Sequence, residues 1–76
     1  MDKYYSSNDL ALISFLSLYF PIEAIDKTDP SKAQFLFIRT RELEDLIEAF
    51  WKRKAQVNPQ DYFNAIKNIK SRLYQS

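Results

Sequence analysis

A chain of 76 residues with no cysteine, no histidine and no glycine makes one domain that holds itself together without disulfides or thiolate zinc sites, and it has neither the commonest general base nor a glycine-rich phosphate loop. Hydrophobic residues at 46% and aromatics at 16% exclude a disordered chain and leave a dense core or self-association as routes to stability. The net charge of +1 is unevenly placed, with nine acids and five bases in residues 1–50 and six bases and one acid in residues 51–76, and this asymmetry is the one electrostatic clue in the chain.

Tyr5-Ser6-Ser7-Asn8-Asp9-Leu10 reads as a helix start, with Ser6 as cap, Asp9 reaching back as the acid of a capping box, and Tyr5 and Leu10 as a hydrophobic staple. The helix is expected to run to about Phe20, where Pro21 stops it. Its apolar residues cover most of its circumference, which predicts burial on several sides or contact with a second chain. The apolar run from Leu10 to Ile22 contains Ser14 and Ser17 and is too short to span a bilayer. No basic leader precedes it. No membrane partner is expected, and a cytoplasmic setting is.

Ile22–Lys27 and Ala33–Arg39 read as two strands of an antiparallel hairpin. Between them, Thr28-Asp29-Pro30-Ser31-Lys32 carries turn chemistry, with Pro30 fixing φ. Phe35 and Phe37 point to one face, Leu36 and Ile38 to the other. Both faces are apolar, so helices are expected on one and a second copy of the chain on the other face or on an open edge.

Thr40 is the expected cap of a second helix, with Glu42, Glu44 and Asp45 in its first turns and Lys52, Arg53 and Lys54 at its end, an order that suits the helix dipole. Leu43, Leu46, Ile47 and Phe50 make its buried stripe. Asn58-Pro59-Gln60-Asp61 is a strong start signal for a third helix, with Asn58 as cap, Pro59 in the first helical position and Val57 stapling to Tyr62. That helix is expected to reach Tyr74 with Tyr62, Ile66, Ile69 and Leu73 inward. The fold class is thus a single α+β domain over residues 1–76, in the order α-β-β-α-α, an antiparallel hairpin packed on three helices.

Taken together, the start Tyr5–Leu12, the strand Phe35-Leu36-Phe37, the segment Leu43–Trp51, the segment Val57–Lys67 and the ending Ile69–Tyr74 resemble a family of small uncharacterised bacterial and phage domains. The resemblance covers nearly the whole chain, and its most specific parts are the Pro-led third helix and the Lys-Ser-Arg-Leu-Tyr ending. It implies the element order and no activity. The family often places glycine after the first helix and after the Trp51 helix, where this chain has none.

On the third helix, Gln60, Asn64, Lys67 and Ser71 form a polar stripe opposite the core, flanked by Asn68, Lys70 and Arg72. Amides can read adenine edges and lysines can read guanine or phosphate. Following a second helix and a short connection, this stripe has the order of a helix-turn-helix recognition helix, although any amphipathic helix has a polar side. Lys52, Arg53 and Lys54 extend the candidate surface for phosphates, with Trp51 and Tyr74 available for stacking. Dipole complementarity at a helix end explains the same three cations. Phe35, Leu36, Phe37, Ile38, Trp51 and Tyr74 are the candidate interface residues, for a dimer or for a protein partner. Glu23, Asp26 and Asp29 match no cation-binding loop, so no metal and no cofactor are expected. Without Cys or His no nucleophilic triad can form, and no small-molecule substrate is expected. The sequence reads as a non-enzymatic binding module with nucleic acid as the first candidate partner. The alternative is a protein-interaction adaptor or inhibitor.

Overall fold

The computed structural model describes residues 3–29 and 31–74. It contains β1 (Tyr4–Ser7), α1 (Leu10–Ser17), β2 (Ala24–Asp26), β3 (Gln34–Ile38), α2 (Arg41–Trp51) and α3 (Pro59–Tyr74). The α+β class, the β2–β3 antiparallel hairpin and the three helices are as expected from sequence. Pro30, expected to fix the hairpin turn, lies outside the described residues.

The N-terminal segment is corrected. Tyr4–Ser7 is a strand, not the first turn of a helix, and it pairs antiparallel with β3, setting Tyr5 against Phe37 and Ser7 against Phe35. The sheet order is β1-β3-β2, so β3 is central and both of its edges are occupied. The cap moves accordingly from Ser6 to Asp9. Asp9 Oδ1 accepts from the Ala11 and Leu12 amides at 3.0 and 3.4 Å, and Ser7 Oγ accepts from the Asp9 amide at 3.1 Å. Tyr4 and Tyr5 suit a pleated surface, and an aspartate caps a helix as well as a serine does.

α1 is the axis of the domain. Residues Leu12 through Leu16 are all buried, Ser14 among them. The helix packs against both α2 and α3 and shares one core cluster with Phe35 and Phe37 of β3, Leu43 of α2 and Ile69 of α3. From Leu12 to Leu16 the all-round apolar pattern is therefore satisfied within one chain, whereas Leu18 and Tyr19, past the helix end and short of the expected stop at Pro21, are exposed. Burying each phenyl ring at Phe35 and Phe37 contributes about 2–3 kcal/mol. Phe37 is fully buried and Phe35 is 1% exposed, so of the candidate interface residues these two belong to the core.

The opposite face of the sheet has a different character. Leu36 is half-buried, and Ile38 and its cross-strand neighbour Tyr4 are 42% and 41% exposed. α2 starts as expected, with Thr40 Oγ1 accepting from the Leu43 amide at 3.1 Å. It ends in a Schellman turn: the Lys54 amide donates to Ala49 O at 2.9 Å and the Arg53 amide to Phe50 O at 3.1 Å. The left-handed position of that turn, usually glycine, is held by Arg53 at φ 59°.

Among the described residues, no helix is long and apolar enough to cross a membrane.

Candidate nucleic-acid interface

α3 is held at its start and along one side, and its outer face is left to solvent. Asn58 Oδ1 accepts from the Gln60 and Asp61 amides at 2.9 and 3.2 Å, and Pro59 occupies the first helical position, which needs no donor. The Tyr62 hydroxyl donates to Ala11 O at 3.0 Å. Burial, and then the Asp9 charge, push the Tyr62 phenol above its usual range. Ala65 and Ile69 are buried and Tyr62, Ile66 and Leu73 are half-buried, which is the inward arc expected from the sequence with Ala65 added.

The polar stripe Gln60, Asn64, Lys67 and Ser71 is exposed along its whole length. Helical periodicity divides its neighbours into two flanks of different character. On one flank, Asp61, Asn64, Asn68 and Arg72 line a groove of about 510 Å3 beside the end of α1 and Pro21. Its acid and its base balance. On the other flank, Lys67 and Lys70 share the arc with Phe63 and Tyr74. Both aromatics stand in solvent, Phe63 at 65% and Tyr74 at 85% exposed. The only acid of α3, Asp61, lies away from this arc. Among the described residues the ion pair is Lys52–Glu48, and neither Lys67 nor Lys70 is in one.

Phe63 belongs to none of the motifs that mark the polar stripe, but it has a sequence signal: positions 63, 67, 70 and 74 follow i, i+4, i+7, i+11 spacing, the same periodicity that marks a core stripe. Here the stripe faces solvent.

The remaining candidates separate from this arc. Lys52, Arg53 and Lys54 are exposed, but they sit at and just past the end of α2, before α3 begins. Lys67 is more than two turns further along α3, and Lys52 is engaged by Glu48. α2 and α3 each dock on α1, so the expected helix-turn-helix pairing gives way to an arrangement around a central helix. Trp51, 59% exposed, packs edge-on against Phe50, which in turn contacts Phe15. It belongs to the α1–α2 side of the domain.

A second groove, of about 560 Å3, lies at the C-terminal end of α3, where Tyr74 and Leu73 face Asn8, Lys32 and the edge of Phe35. Lys27 also lines it, and its Nζ lies 3.4 Å from Arg72 O, at the negative end of the α3 dipole.

The carboxylates around the hairpin turn are committed locally. Asp26 accepts from the hydroxyl and amide of Thr28. Asp29 accepts from the Ser31 hydroxyl at 2.7 Å and amide at 3.0 Å. In each case the side-chain hydrogen bond, then the backbone one, holds the carboxyl below its usual range. Among the described residues, no group of three or more His, Cys, Asp or Glu side chains comes together to hold a metal.

No curated protein and no solved structure matches the chain. A family model described as "Domain of unknown function (DUF5659)" matches residues 2–75, and the chain belongs to that family.

Proposed function

We propose that this domain is a non-enzymatic binding module that contacts nucleic acid through the outer face of α3. The observation that carries the reading is the pair Lys67 and Lys70, exposed, unpaired with any acid among the described residues, and set on a helix whose register the Asn58 cap and Tyr62 fix. In this reading the two ammonium groups position phosphates, and Gln60 and Asn64 lie beside them for base edges. Arg72 adds a cation at the far end of the helix. The Cys-free composition fits a cytoplasmic setting.

Self-association belongs to the same reading. The outer face of the sheet, where Leu36 is half-buried and Ile38 and Tyr4 are exposed, is the surface a second copy would cover. That patch together with Trp51 also supports a second reading, an adaptor or inhibitor acting on another protein through an apolar contact.

The test is retention of a mixed DNA and RNA pool at low salt by the intact domain and by the double variant Lys67→Glu/Lys70→Glu, with solution mass followed by light scattering. Loss of retention in the variant and release by raised salt are expected. Unchanged retention in the variant, or none in the parent, sinks the nucleic-acid reading. Salt-independent capture of a protein favours the second.

A further inference from the structure

We infer that the nucleic acid recognised by α3 is single-stranded, held by stacking of unpaired bases on Phe63 and Tyr74 with Lys67 and Lys70 on the phosphates between them. The inference rests on the nucleic-acid reading above and narrows it to one substrate class.

The geometry is that of two aromatic posts with cations between. Phe63 and Tyr74 lie on one flank of α3, eleven residues apart, so the posts stand about 16 Å apart along the helix axis. Lys67 and Lys70 fall within that interval on the same arc. A phenyl ring has no hydrogen-bonding group and cannot hold a phosphate. On a duplex it can only touch a thymine methyl or wedge between base steps at an unstacking cost of about a few kcal/mol. An unpaired strand offers a π-face at every base, and stacking on an aromatic side chain is its usual mode of capture. Phe63 at 65% exposed leaves much of a large apolar side chain in water, a cost that a stacked base removes.

The lysines decide against the other occupant such a stripe could have. Lysine is depleted from the core of protein–protein interfaces because its ammonium is costly to desolvate. Between two stacked bases the ammonium meets a phosphate and stays solvated. The adjoining groove at the Tyr74 end is lined by Asn8 and Lys32, so polar and cationic groups continue past the second post.

The experiment is fluorescence anisotropy of the intact domain at low salt with two probes, a labelled oligothymidylate and a labelled hairpin duplex with as many phosphates. Tighter binding of the oligothymidylate is expected. Phe63→Ala should weaken that binding about tenfold and leave the weaker duplex binding unchanged, while Phe63→Tyr restores it. Lys67→Ala should weaken both probes. Phe63 is exposed, so Phe63→Ala is expected to keep the parent melting temperature. Duplex binding equal to or tighter than single-strand binding, or a Phe63→Ala variant that binds oligothymidylate as the parent does, overturns this inference and leaves the broader reading standing. Binding to neither probe overturns both.

Discussion

The Tyr62 hydroxyl donates to the main-chain carbonyl of Ala11 at 3.0 Å, tying the first turn of α3 to the first turn of α1 across 51 residues of sequence. This bond sets the register of the helix that carries the proposed interface. Replacing Tyr62 with Phe keeps the ring and deletes the bond, and should cost about 1 kcal/mol of stability. Urea unfolding of the two proteins checks it. The phenol is pushed above its usual range by burial first and by Asp9 second. A raised folded value means that the unfolded chain gives up the proton more readily. The stability contributed is therefore complete below pH about 10 and is lost as pH rises through the folded value. Tyr62→Phe should flatten that alkaline loss, and a variant that still loses stability as steeply as the parent above pH about 10 would show that the phenol is not its source.

Arg53 occupies the left-handed position of the turn that ends α2, at φ 59°. A Cβ there costs about 1–2 kcal/mol, while glycine costs roughly 0.5–1 kcal/mol in extra freedom of the unfolded chain. Arg53→Gly should therefore raise stability by about 0.5–1 kcal/mol. Arg53→Ala should not, because it removes the charge and keeps the Cβ. The urea midpoints of the two variants separate the backbone effect from any electrostatic one.

Ser14 lies in the middle of α1, fully buried, and its hydroxyl has no hydrogen-bond partner among the described residues. An unsatisfied buried hydroxyl costs about 1–3 kcal/mol. Alanine removes that group with little change in volume and is a better helix former. Ser14→Ala should raise the melting temperature by about 4–8 °C per kcal/mol recovered in a domain of this size. A lower melting temperature would mean that the hydroxyl is satisfied in solution.

Much of this architecture is legible in the residues themselves, where the deciding interaction is local. Asn58-Pro59-Gln60-Asp61 fixes the start of α3 because cap and proline act within one turn. Thr40 starts α2 for the same reason. β3 is legible because Phe35-Leu36-Phe37-Ile38 is a short apolar run rich in strand formers. β1 is not legible in that way. Ser6 followed by Asp9 satisfies a local capping pattern, and what overrules it is pairing with β3, a contact between distant parts of the chain. The polar stripe of α3 follows from periodicity alone. The Phe63–Lys67–Lys70–Tyr74 arc follows from the same periodicity, but that this arc stays in solvent while the other flank lines a groove beside α1 depends on where α1 lies, which no local pattern encodes.

β1 has a further significance for the backbone of β3. Gln34-Phe35-Leu36-Phe37-Ile38 is an apolar segment with no charge and no proline, the type of sequence that stacks with copies of itself when its backbone is free. With β1 on one side and β2 on the other, neither edge is free. β1 is only four residues long, and β2 is three residues long with Asp26 at its end, both short templates for another strand. The N-terminal strand thus acts as a guard for the most adhesive stretch of the molecule. During synthesis that guard is already made when the segment it protects emerges.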